Sequence, residues 1–235
     1  VYKNSTILSD IPGVEIFTEL HTTNDSSMFK KITEMEEEDY KPKGRKWVSG
    51  KNEAYPLIQG RAIHHLEFPH QIYTDKGKWE KGSKEYEKLR TKYLVDGSSY
   101  KESDKILREI KIGYRNTTQP IINPRSMIAS LIPSLPTANS LLLIYPGKNG
   151  LEVLSMVGIL NSYVYDHNIR FRIPGINLRK YLTNESPIPN ISDSDKKKIA
   201  RKVAKLNWNP RFFPSIEEYT EGKIKNIEYV TNEKE

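Results

Sequence analysis

The sequence predicts an α+β fold: a curved, mostly antiparallel or mixed sheet with a long packed helix and peripheral helices. Three observations carry that prediction. Short apolar runs over 46–75 and 111–146 are broken by Gly and Pro, which is strand punctuation. Leu151, Leu154, Val157, Leu160, Val164 and Tyr165 recur at helical spacing. In 191–206, Ile199, Val203 and Leu206 stand against six cations, the pattern of an amphipathic helix.

The chain has 235 residues, 36% hydrophobic and 29% charged, enough for one large domain or two small ones. It has no cysteine, which excludes disulfides and thiolate zinc sites and is compatible with a reducing cytoplasm. No run approaches the roughly 18 apolar residues needed to cross a bilayer, and no signal-peptide pattern is visible. No membrane association is therefore expected. The first residue is Val1, which suggests a piece of a longer protein.

Taken in order, residues 1–45 read as a peripheral N-terminal segment. It has a short strand at Val14–Phe17 and a helix from Ser26 to Tyr40. That helix ends on Glu36, Glu37, Glu38 and Asp39, which oppose its dipole, so it frays or is held by a neighbour. Residues 46–190 read as the main domain. Its first strands are Trp47-Val48, Tyr55–Ile58, Ala62-Ile63 and Gln71–Tyr73. Helices are expected over Ser83–Leu94 and Ser103–Ile110. Lys111–Arg115, Arg125–Ile132 and Ser140–Tyr145 follow as strands, the last apolar enough to be buried on both faces. One helix is expected over 151–168, and Asn177 is placed to cap a short helix over Leu178–Leu182. Pro187–Pro189 is an extended exit. Residues 191–235 read as a C-terminal helix capped by Ser192 or Ser194, then a mixed, partly ordered tail.

No catalytic constellation is visible. There is no Gly-rich phosphate loop, no HExxH, no nucleophile turn and no spaced carboxylate set. The charge distribution is more informative. Between Ile110 and Asn184 eight cations face two carboxylates, Glu152 and Asp166, a net +6 out of the chain's +7. A basic surface on a rigid scaffold suits a polyanion. Arg115, beside a Thr-rich turn, is a candidate for a phosphate or base contact, or for bracing turn carbonyls, and Asn116 and Thr118 next to it are candidates for DNA contact. Arg125 is equally a contact or a clamp. Arg170, Arg172 and Lys180 are phosphate candidates, and Arg61 with His64 and His65 is a candidate for groove or backbone contact. A metal role for His64, His65 and His70 is disfavoured, because adjacent residues on a strand point to opposite faces. Asn161 and Ser162, on an apolar helix, serve capping or bracing, or contact DNA.

Four segments, in order over Tyr55 to Ile191, resemble a known family. Pro56–His64 resembles a Pro-Leu-Tyr-Glu-Gly-Lys-Met-Ile opening. Tyr114–Thr118 through Asn123–Pro133 resembles an Arg…Asn-x-Arg-Thr-x-Ile-Ala-x-x-Ile-Pro segment. Leu154–Asp166 resembles a Leu-Leu-Asn-Ser…Asp helix, and Gly175–Leu178 through Pro189 resembles a Gly-Thr-His-Leu-Asn…Leu-Pro-x-Pro exit. The order is that of the TaqI-like C-terminal specificity domain, the target-recognition region of type IIG-like restriction-modification enzymes and adenine-N6 DNA methyltransferases. The chain departs from it at Ser126, often Thr in the family, and at Ile176-Asn177, often Thr-His. The resemblance implies a module that reads double-stranded DNA. It also implies an upstream methyltransferase domain in the same parent chain, carrying S-adenosylmethionine and, in a nuclease-bearing parent, Mg2+. No cofactor is expected in this chain. The competing reading is a protein-interaction or structural domain of a DNA-modification or phage-defence complex, its basic face docking an acidic partner.

Overall fold

The computed structural model describes residues 2–82, 89–102, 110–147 and 149–229. In chain order the elements begin with β1 (Ser5–Ile7), β2 (Glu15–Phe17), β3 (Phe29–Lys31), α1 (Ile32–Glu37), β4 (Lys41–Lys43), β5 (Lys46–Ser49) and β6 (Asn52–Pro56). There follow β7 (Gln71–Tyr73), β8 (Trp79–Lys81), β9 (Tyr93–Asp96), α2 (Gly97–Glu102), β10 (Ile110–Arg115), β11 (Ala129–Pro133) and β12 (Leu141–Tyr145). The last are α3 (Gly150–Leu160), α4 (Tyr163–Arg170), α5 (Lys180–Asn184), β13 (Pro187–Pro189), α6 (Asp193–Asn207) and α7 (Ile216–Tyr219). The fold is α+β.

The strands of 46–75 and 111–146 do not share one sheet, as the sequence reading expected. A four-stranded antiparallel sheet runs β11-β10-β12-β2, and a five-stranded one runs β3-β9-β6-β5-β4. Single parallel bridges, Ile58 to Thr137 and Leu20 to Ala138, connect these regions. Alternation of apolar residues specifies strands but not partners, so this division is a long-range outcome. Residues 1–45 are not peripheral. Their β2 pairs with β12, β1 pairs with β13, and β3 pairs with β9. The Ser26–Tyr40 helix shrinks to α1, whose acidic end is held as expected: Glu36 pairs with Arg90, and Glu38 pairs with Lys30 at 2.6 Å. Tyr93, Leu94 and Ile110 lie on strands rather than helices. Residues 89–92 are described and form no helix, and 83–88 and 103–109 fall outside the described residues.

The main core lies where α3 packs on the four-stranded sheet and α6 packs on α3. Leu141, Leu143, Ile144, Val153, Leu154, Val157 and Ala204 are completely buried there. Gly158 permits the α3–α6 approach. A Cβ at this position would sit 2.5 Å from a methyl of Ile199 and 2.9 Å from one of Val203. The α6 helix forms as expected, with Ser192 accepting a hydrogen bond from the Asp195 amide. Its buried stripe is Ala200, Val203, Ala204 and Asn207, and Leu206 faces out. The tail is more integrated than its composition suggested, since Trp208, Phe212, Phe213, Ile216 and Ile224 all join the core.

The helix expected over 151–168 breaks at Asn161, because Asn161 has an outside task. Its amide Nδ2 donates to the Ala129 carbonyl at 2.9 Å, and its Oδ1 accepts from the Ala129 amide at 3.3 Å. Asn207 Oδ1 accepts from the Leu131 amide at 2.8 Å. Strand β11 is the edge of its sheet, so these side chains satisfy backbone groups that no further strand supplies. Ser162 then caps α4, accepting from the Tyr165 amide. Both residues thus brace or cap.

Candidate nucleic-acid interface

Five of the eight cations in 110–184 have internal partners. Lys111 is completely buried and paired with Glu19, whose other oxygen accepts from the Thr137 amide and hydroxyl at 2.9 and 2.7 Å. Arg115 Nε donates to the carbonyls of Gly60 and Ile63 at 2.9 and 3.1 Å, and its Nη2 donates to Ile63 again at 2.6 Å. The bracing role left open for Arg115 is therefore real, and its target is the 60–63 turn rather than its own Thr-rich turn. Arg125 donates to the Asn161 carbonyl at 2.5 Å and lies 4.4 Å over the ring of Tyr163. Arg170 donates to the carbonyls of Pro120 and Asn123 at 2.9 and 3.1 Å. Arg172 holds the end of α5 through the Glu185 carbonyl and carboxylate at 3.2 and 3.0 Å. Arg179 and Lys180 are exposed, and Lys148 lies outside the described residues.

The centre of this network is Asp166, which sequence reasoning passed over. Its Oδ1 accepts from the Ser126 and Met127 amides, both at 2.7 Å. Its Oδ2 faces Arg125 at 3.5 Å and Arg170 at 3.7 Å. One of only two carboxylates in so cationic a stretch, it was the available signal. The network fixes the loop between β10 and β11 against α4. That loop carries Ile121 and Ile122, which are 98% and 76% exposed; Tyr163 and Phe171 of the α4 region are also largely exposed.

Asn116 is half-buried, with its backbone bonded to Ser140 and Leu178 and its Oδ1 left without a hydrogen-bond partner. Thr118 is a correction to the candidate list: it is completely buried, its amide bonded to the Ile176 carbonyl at 2.9 Å, so no surface ligand reaches it. Asn177 does not cap α5. It accepts from the Thr117 hydroxyl at 3.0 Å, and Arg179 occupies the cap position.

His64 and His65 are not on a strand, and their rings do not point apart. Residues Gly60–Ala62 form a 3-10 turn, Leu66 takes φ +53°, and the two ring Nδ1 atoms lie 3.3 Å apart. His70 stacks on His64 at 4.6 Å and bonds Glu67 at 2.7 Å. Burial, with the neighbouring His65, His70 and Arg115, pushes the His64 imidazole down to about 4, and burial lowers His65 as well. Among the described residues no group of three or more His, Asp or Glu is arranged to hold a metal ion.

The exposed Arg61 opens onto a cleft of about 520 Å³ lined by Gln59, Arg61, Tyr73, Trp79, Lys92, Arg115, Thr117 and Ser140 together with two glycines. Three cations and no carboxylate line it among the described residues. Ser140 Oγ accepts from the Gly60 amide at 3.0 Å, which sets the floor. The β7–β8 hairpin forms one wall, and Tyr73 and Trp79 meet edge to face at 5.6 Å. Its turn needs Gly77, at φ +72°. The sequence offered Arg61 and Arg115 but not Gln59, Tyr73, Trp79 or Lys92, which come from separate elements that only folding brings together. No protein-family model matches this chain, and no curated protein matches it.

Proposed function

We propose that this chain is the DNA target-recognition part of a longer restriction-modification or adenine-N6 methyltransferase enzyme. Its catalytic domain, with S-adenosylmethionine, would lie elsewhere in the parent. The observation that carries this reading is the cleft, which has three cations, among the described residues no carboxylate, and hydrogen-bonding side chains at Gln59, Thr117 and Ser140. Cations place a phosphate backbone, whereas amides and hydroxyls reach base edges. The order of the four sequence segments supports the same reading. Of the original candidates, Arg61, Lys180 and Arg115 carry the contacts, and Arg125, Arg170 and Arg172 hold the loops that present them.

Fluorescence anisotropy with a randomised duplex at two salt concentrations tests the proposal. Each phosphate contact weakens log K by about 0.9 unit per tenfold salt. Arg61→Ala should lower affinity and salt slope while the exposed position leaves the melting temperature unchanged. Binding that ignores both salt and Arg61 would refute it. One observation favours a second reading, a protein-interaction domain: the exposed Ile121, Ile122, Tyr163 and Phe171. On that reading the folded chain binds no duplex even at low salt.

A further inference from the structure

The cleft is also of the right size for a unit smaller than a duplex. Its volume of about 520 Å³ lies within the range of about 300–1,000 Å³ typical of small-ligand sites. A single nucleotide is of that size. The wall supplies a flat surface, since Tyr73 and Trp79 are both half-buried and stand at 65° to each other. A ring lying on one therefore meets the edge of the other, the preferred arrangement for aromatic groups.

The opposite side supplies charge. Arg61 and Arg115 both line the cleft, and burial first and the charge of Arg61 second disfavour the charged form of Arg115. A phosphate between them would relieve that repulsion. The remaining polar side chains of the lining are Gln59, Thr117 and Ser140, whose amide and hydroxyls suit the polar edge of a nucleobase.

We infer that the cleft holds one unpaired nucleotide, its base against Trp79 and Tyr73 and its phosphate among Arg61, Lys92 and Arg115. The inference rests on the DNA-recognition reading above and adds to it that the recognised strand has a base outside the stack. Extruding a base costs least where it is already unpaired, so the protein should prefer DNA that offers one.

The experiment compares a perfectly paired duplex with the same duplex carrying one bulged 2-aminopurine. The expected result is binding to the bulged duplex tighter by about tenfold or more, in line with a lost base–aromatic stack, with the 2-aminopurine emission changed on binding. Trp79→Ala should abolish the preference, bringing the affinity for the bulged duplex down to that for the paired one. Arg61→Ala should weaken both, and circular dichroism should show both variants folded. Equal binding of the two duplexes, or a preference that survives Trp79→Ala, overturns the nucleotide site and leaves DNA recognition standing. Binding of neither duplex by the folded protein removes both.

Discussion

Replacing Asp166 with alanine removes the acceptor of two backbone hydrogen bonds and a carboxylate that faces both Arg125 and Arg170, at 3.5 and 3.7 Å. Two routes give the magnitude. Hydrogen bonds to a charged group contribute about 1.5–3 kcal/mol each, and Asp166 makes two, at 2.7 Å, to Ser126 and Met127. Breaking a buried ion pair by removing one partner costs about 3–5 kcal/mol. The carboxylate is 5% exposed, so solvent offers little compensation. Both routes lead to a loss of about 3–5 kcal/mol, which at this chain length lowers the melting temperature by roughly 6–20 °C.

Asp166→Asn separates the two contributions. Both amides donate to Oδ1, so an asparagine in the same rotamer still accepts them. It loses the charge, at a cost of about 1–2 kcal/mol. Urea unfolding of the three proteins, with hydrogen exchange at Ser126 and Met127, measures this ordering. A loss under about 1 kcal/mol for the alanine variant, or an asparagine variant no better than alanine, would show that Asp166 does not organise the loop.

Other perturbations follow from the same structure. Gly158→Ala places a methyl against Ile199 and Val203 and should destabilise by about 1–3 kcal/mol, measured by chemical unfolding; a neutral result would mean α6 can move away freely. Lys111→Met leaves Glu19 charged and buried, and should cost about 3–5 kcal/mol, with Glu19→Gln in the same background recovering part of the loss. Arg115→Ala removes three hydrogen bonds to the 60–63 turn and should lower the melting temperature, in contrast to Arg61→Ala. His64 titrates near 4 when folded, against about 6.5 in an unfolded chain. Between those values the unfolded chain binds more protons, so this contribution to stability is complete above pH 6.5 and declines as pH falls toward 4. Thermal melts across that window should show the decline, and His64→Gln should flatten it.

The exposed-charge argument drawn from sequence needs the largest revision. A net +6 over 110–184 reads as a basic surface, but Lys111, Arg115, Arg125, Arg170 and Arg172 face carbonyls and carboxylates inside the molecule. Arginine has five donors in a fixed fork, which suits it to gathering loop carbonyls as well as to gripping phosphates. Composition cannot distinguish these uses, because the acceptors are backbone groups that every residue carries.

What the sequence determined by itself was local. The α+β class, the doubly buried β12, the Ser192 cap and the amphipathic α6 all follow from periodicities of two or 3.6 residues and from single capping side chains. Such signals act over one or two turns of chain and are readable in place. Tertiary structure decided the rest. It put β2 and β3 into different sheets, broke the 151–168 helix so that Asn161 could pair with an edge strand, and turned His64 and His65 toward each other. It also assembled the cleft from positions between Gln59 and Ser140. Those outcomes depend on which buried donor finds which acceptor across long stretches of chain. That pairing is fixed by the free-energy cost of leaving any of them unsatisfied once water is excluded.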